Sequence, residues 1–148
     1  MKLKYLLGIL GAVCVLLSPI HVKAYQPKHA IEFSYEDAQL LMKVAQAEAG
    51  NQGITGQWLI MCVVLNRVES ENFPNTVEEV IYQDGQFSTA SFLDTVEPTV
   101  DSHLALAYLE SGEKAKNIIA FEGVGSNVLE SFFLRAFSFR DHTFYTFE

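Results

Sequence analysis

The sequence is poor in cysteine: only Cys14 and Cys62 occur among its 148 residues, too few for a disulfide-stapled scaffold. It is also poor in positive charge, with 10 Lys and Arg against 18 Asp and Glu and a net charge of −8 with His neutral. Phosphate binding needs clustered Lys and Arg, so nucleic acid is excluded as a partner and adsorption to anionic lipid is disfavoured. Four histidines are present, His21, His29, His103 and His142, none in an H-E-x-x-H arrangement or beside a cysteine. No metal site is therefore expected. There is no G-x-S-x-G elbow and no phosphate-cradling glycine loop, which removes the common serine-hydrolase and nucleotide-binding motifs. Internal repeats and low-complexity segments are missing too.

What is present is apolar: 49 % of residues are hydrophobic, including 11 Phe and 6 Tyr. That suffices for a core and is too much for intrinsic disorder. The length suggests one domain. Residues 1–24 read as a signal peptide: Lys2 and Lys4, an apolar run from Leu6 to Leu17, a break at Pro19 and a Val22-Lys23-Ala24 cleavage pattern. The run is shorter than the roughly 20 residues that span a bilayer, so no stable membrane insertion is expected after cleavage; an uncleaved anchor is the alternative. Val13 before Cys14 argues against a lipoprotein signal. Cleavage would remove three lysines and no acid, taking the net charge from −8 to −11, and leave Cys62 alone. Cys62 lies in an apolar helix pattern and reads as a small buried hydrophobe.

Residues 25–33, with Pro27, are expected to be a flexible leader. Ser34-Tyr35-Glu36-Asp37 forms a capping box and opens a helix from about Tyr35 to Ala49, with Gly50 as its stop. Thr55 or Gly56 is expected to cap a second helix from about Gln57 to Glu69, apolar on all sides and so central; a buried strand is the alternative. Thr76-Val77-Glu78-Glu79 opens a short helix to Tyr82. Thr89 to Pro98 has no clear period. Asp101 or Thr99 caps a helix to about Glu110 with Leu104, Ala105 and Tyr108 inward. Asn117–Phe121, Phe132–Phe139 and Thr143–Phe147 read as strands. The expected fold class is α+β: a mainly helical single domain, residues 34–148, with a small antiparallel β-sheet.

The stretch Ala45–Arg67 carries one isolated carboxylate, Glu48, between Ala47 and Ala49. Glu48 continues the stripe of Leu41 and Val44, and it sits at a helix C-terminus, where the macrodipole disfavours negative charge. A Glu that holds its proton near neutral pH suits protonation of a glycosidic oxygen. A carboxylate neutralised by Arg67 or Lys43 is the competing reading.

Seven short blocks stand in order around this glutamate: Ser34-Tyr35-x-Asp37, Ala47-Glu48-Ala49-Gly50, Gly56-Gln57, Val63 to Val68, Phe73 to Val77, Val80-Ile81-Tyr82-Gln83 with Gln86-Phe87-Ser88, and the closing His142-Thr143-Phe144-Tyr145. Together they resemble the SleB/CwlJ cell wall hydrolases, the spore-cortex-lytic type. The resemblance implies a fold related to lysozyme-like lytic transglycosylases, and a secreted, wall- or spore-associated enzyme acting on peptidoglycan glycan strands without a cofactor. It places the single acid/base on Glu48, acting between N-acetylmuramic acid and N-acetylglucosamine and closing the muramic residue to a 1,6-anhydro product. Gln52, Asn66, Arg67, Gln86, Phe87, His142 and Tyr145 become candidate substrate-binding residues: Arg67 for a stem or lactate carboxylate or simply for Glu69, Gln86 for an acetamido group, Phe87 and Tyr145 for sugar faces. The chain departs from the family pattern in two places. Gln52 stands where a second Glu is usual, and Leu59-Ile60-Met61-Cys62 replaces a smaller apolar run. The alternative function is a catalytically weak peptidoglycan-binding or accessory protein with the same fold. A glycoside hydrolase using a second acid, Asp84, Asp94 or Asp141, is a third; inversion needs a carboxyl separation of about 6.5–9.5 Å. An accessory partner and the oligomeric state are left open.

Overall fold

The computed structural model describes residues 30–147; the expected signal peptide and the first part of the leader lie outside them. Helix α1 is Tyr35–Ala49, α2 Gly53–Val68, α3 Val77–Ile81 and α4 Val100–Glu110. The strands are β1, Ile118–Gly123, β2, Leu134–Phe139, and β3, His142–Thr146. They form one antiparallel sheet in the order β1-β3-β2. The domain is mainly helical with a small antiparallel sheet, as the sequence implies.

Helix α2 is the axis of the core. Every residue from Leu59 to Leu65 is buried, and α2 packs against α1, α3, α4 and β1 at once. A helix with no polar face has no stable place except the centre. At about 1.5–3 kcal/mol per fully buried Leu, Ile or Val side chain, this run is the main apolar contribution to the fold. Cys62 is fully buried within it, and burial pushes its thiol up to about 12.

Local chemistry explains most boundaries. Ser34 Oγ accepts from Asp37 N at 3.0 Å and starts α1. Thr76 Oγ1 accepts from Glu79 N and starts α3, and Thr99 forms a reciprocal capping box with Ser102 at α4. Helix α1 ends at Ala49 with Gly50 as its cap, as expected, though Gly50 has φ −58° and the chain runs on through a 3₁₀ turn, Gly50–Gln52. Three expectations are corrected. The left-handed residue is Gly53, at φ 69°, so α2 begins four residues before Gln57, with no side-chain cap. In α4 the buried residues are Ser102, Ala105, Leu106 and Leu109, while Leu104 and Tyr108 are exposed. The leader is docked from Ile31 onward: Ile31 N donates to Glu110 O at 3.0 Å, and Ile31 and Phe33 pack on the core.

Within the sheet, β3 is central and its Thr143, Phe144 and Tyr145 are buried, whereas β2 is exposed along most of its length. A two-residue turn, Arg140-Asp141, joins β2 to β3, with Arg140 left-handed at φ 49°. This turn brings His142 back to the α1–α2 junction.

Candidate active site

Glu48 lies in the last turn of α1 and is half-buried. Its Oε1 accepts a hydrogen bond from Thr89 Oγ1 at 2.6 Å. Among the described residues Oε2 has no protein partner and is not sealed from solvent. The ion pairs among these residues are Lys114–Glu69 and Arg135–Glu130; neither Arg67 nor Lys43 neutralises Glu48. Thr89 precedes a 3₁₀ segment, Ala90–Thr95, that packs beside α1. Nothing local in the sequence couples Thr89 to a residue 41 positions away, so only the tertiary fold exposes this contact.

The 3₁₀ turn after α1 carries Gln52, which is 2 % exposed despite its loop-like sequence setting. Its Nε2 lies 2.9 Å from His142 Nδ1. Asn51 Nδ2 donates to Asp141 Oδ2 at 3.0 Å, so two amides of one turn hold two consecutive hairpin residues. His142 is half-buried, with its ring 4.9 Å from Phe121 and edge-on to Phe144. Burial lowers its pKa, and the negative charges of Glu48 and Asp141 pull partly the other way. Glu48, Gln52 and His142 are thus gathered at one junction, from three segments.

Asn66 and Arg67 are bonded within the fold. Asn66 Nδ2 donates to Ala115 O and Ile118 O, both at 2.8 Å, and so ties α2 to the start of β1. Arg67 is 4 % exposed. Its Nε donates to Ile119 O at 2.6 Å, and its guanidinium lies 5.1 Å from the centres of both Phe73 and Phe87, a cation–π sandwich. Glu69, its expected partner, bonds Lys114 instead. Burial lowers the Arg67 pKa to about 10, which leaves it cationic at neutral pH. Its Nη1 is buried without a partner among the described residues.

Tyr145 corrects the expectation of a sugar-stacking ring: it is 0 % exposed, and its hydroxyl donates to Glu122 Oε1 at 2.5 Å. Burial first, and Glu122 second, push its pKa up to about 12. Phe87 is also buried, in contact with Phe121 and Arg67, and offers no free face. Gln86 alone of this group is exposed, with its backbone N bonded to Gln83 O in the D-G turn. No group of three or more His, Cys, Asp or Glu able to hold a metal occurs among the described residues.

This geometry can be set beside known proteins. A cell wall hydrolase family model matches residues 51–145, beginning three residues after Glu48. The spore cortex-lytic enzyme of Bacillus cereus is 36 % identical over 59 residues, 40 % of this chain and 23 % of that protein's length. The crystal structure of the catalytic domain of the B. cereus SleB protein superposes with a TM-score of 0.69 at 24 % identity, covering 78 % of this chain and 93 % of that one. The catalytic domain of the germination-specific lytic transglycosylase SleB from Bacillus anthracis gives 0.68 at 22 % identity, over 77 % and 97 % of the two chains. These structural likenesses establish a shared fold. With the family model matched over more than half of its length, the chain belongs to the cell wall hydrolase family.

Proposed function

We propose that the chain cleaves the glycan strands of peptidoglycan between N-acetylmuramic acid and N-acetylglucosamine as a lytic transglycosylase, with Glu48 as its single acid/base. The carrying observation is the state of that carboxylate: half-buried, one oxygen held by Thr89 Oγ1 at 2.6 Å, the other without a partner among the described residues. Such a group has a fixed direction and one oxygen available to substrate, which is what positioned proton transfer requires. In the first step Glu48 gives its proton to the glycosidic oxygen as the C1–O bond breaks. In the second, the carboxylate takes the proton of the muramic C6 hydroxyl while O6 bonds to C1, leaving the 1,6-anhydro sugar and a regenerated acid. No second carboxylate and no cofactor are needed. The substrate-binding roles of His142 and Gln86 belong to the same proposal. So does an extracytoplasmic location, at the wall or spore, reached through residues 1–24 as a signal peptide. Gln52, 2 % exposed and bonded to His142, supports that ring and does not meet substrate.

The test is incubation of purified cortex and vegetative peptidoglycan with the protein and with Glu48→Gln. Anhydro-muropeptides from the unmodified protein only are the expected result. Reducing ends in place of anhydro sugars would make it a hydrolase, and equal inactivity of the two proteins would favour a binding or accessory role.

A further inference from the structure

His142 is bonded by Gln52, whose amide turns its nitrogen to the ring while its Oε1 is buried with no partner among the described residues. The Gln52 nitrogen can only donate, so at 2.9 Å from Nδ1 of His142 it requires that atom to be the acceptor. A ring that accepts at Nδ1 is neutral and carries its hydrogen on Nε2. Packing fixes the path of the Gln52 side chain: the residue is 2 % exposed, and Gly56 of α2 seats it closely, since a Cβ on Gly56 would lie 2.4 Å from Gln52 Cβ. The ring is fixed from its other sides by Phe121 of β1 and Phe144 of β3, and its backbone by the hairpin turn that Asn51 holds through Asp141. The charged groups acting on the ring are Glu48 from α1 and Asp141 from the turn; the 3₁₀ turn contributes only the neutral amides Asn51 and Gln52. Nε2 has no protein partner among the described residues and is not sealed from solvent.

We infer that Gln52 is a positioning residue that locks His142 as the neutral Nε2–H tautomer, making the imidazole a fixed hydrogen-bond donor at the α1 terminus and not a second acid/base. The consequence for catalysis rests on the role of Glu48 proposed above. The tautomer does not, and it can be measured alone. The opposite amide orientation, with Oε1 accepting from Nδ1–H, is the state the measurement discriminates against.

The experiment is long-range ¹H–¹⁵N correlation of the imidazole nitrogens in the full chain from pH 5 to 9, with His142 assigned by comparison with His142→Asn. Unmodified protein is expected to show the Nε2–H pattern throughout the neutral range. In Gln52→Glu a carboxylate replaces the amide donor, and the His142 midpoint is expected to rise by about 1–3 pH units, the effect of an opposite charge in direct contact. Peptidoglycan cleavage by that variant should then gain a pH limb at the same midpoint. An Nδ1–H or imidazolium pattern in the unmodified protein at neutral pH overturns the inference, as does an unchanged midpoint in a folded Gln52→Glu. If that variant does not fold, the tautomer of the unmodified protein decides. Absence of cleavage with the expected spectra would sink the proposed function and leave the tautomer standing.

Discussion

Glu48 and Glu122 are both half-buried glutamates, and the fold treats them in opposite ways. Glu122, on β1, accepts from Ser126 Oγ at 2.6 Å, from the Tyr145 hydroxyl at 2.5 Å and from Leu129 N at 3.4 Å. Burial alone would raise its pKa, but these donors, with Val128 N, outweigh it and hold the carboxyl below its usual value. Glu48 accepts from one hydroxyl, Thr89. A carboxylate surrounded by donors is committed to its charged form and to the sheet. A carboxylate held at one oxygen keeps the other for exchange with a substrate. Donor count around the oxygens, more than depth, separates a structural acid from a candidate catalytic one.

The sharpest way to break this comparison is to remove each acid in turn. Glu48→Gln is expected to lower peptidoglycan cleavage by about 10²–10⁴-fold, the usual range for a lost general acid/base, with a melting temperature close to that of the unmodified protein. Glu122→Gln should do the reverse. It should cost about 1–3 kcal/mol of stability, as buried hydrogen bonds to a charged acceptor are weakened, and leave cleavage within a few-fold. Calorimetry beside a muropeptide assay checks both; a large activity loss in Glu122→Gln with normal stability would end the distinction.

Two smaller effects refine it. Thr89→Val removes the single donor to Glu48 at nearly constant volume. A lost hydrogen bond of about 1 kcal/mol predicts roughly a fivefold drop in kcat with KM little changed, read from initial rates on soluble glycan fragments. The smallest effect is one of pH. Because the Glu122 pKa is lower in the folded chain than in the unfolded one, its contribution to stability is present above the unfolded value, about 4.3, and is lost as pH falls through the folded value. The stability gap between the unmodified protein and Glu122→Gln should therefore be full at pH 6 and shrink below about pH 4 in urea titrations. A gap that widens on acidification would contradict the assignment.

Much of the fold is legible in the residues because its signals are local. Ser34, Thr76 and Thr99 each announce a helix start through an oxygen that caps nearby backbone amides, and the unbroken apolar run of α2 announces the centre. The α1–α2 junction is misread for an equally local reason. Gly50, Gly53 and Gly56 all qualify as stops or caps in a sequence window, and only the backbone angles show that Gly53 takes the left-handed position while Gly56 is needed for close packing. Helix α4 is apolar on most sides, so its periodicity could not choose the inward face. At the site, Glu48 stands out through its uncharged neighbours, but its partner does not. Thr89 has no distinguishing context, and Gln52 looks like any polar loop residue until tertiary packing buries it. Arg67 misleads in the opposite direction: a cation near an acid suggests an ion pair, yet a backbone carbonyl and two phenyl rings take it.

The near contact between Gly56 and Gln52 also sets what sequence change this junction will accept. Any side chain at 56 would need the 3₁₀ turn to move, and the turn carries both amides that hold the β2–β3 hairpin. Position 56 is thus closed to substitution from within its own helix. Position 52 is open only to side chains that share glutamine's path past the glycine, of which glutamate is the nearest. The two residues form one unit of variation, in which a single carboxamide-to-carboxylate exchange can alter the ionisation of His142 while the backbone stays where it is.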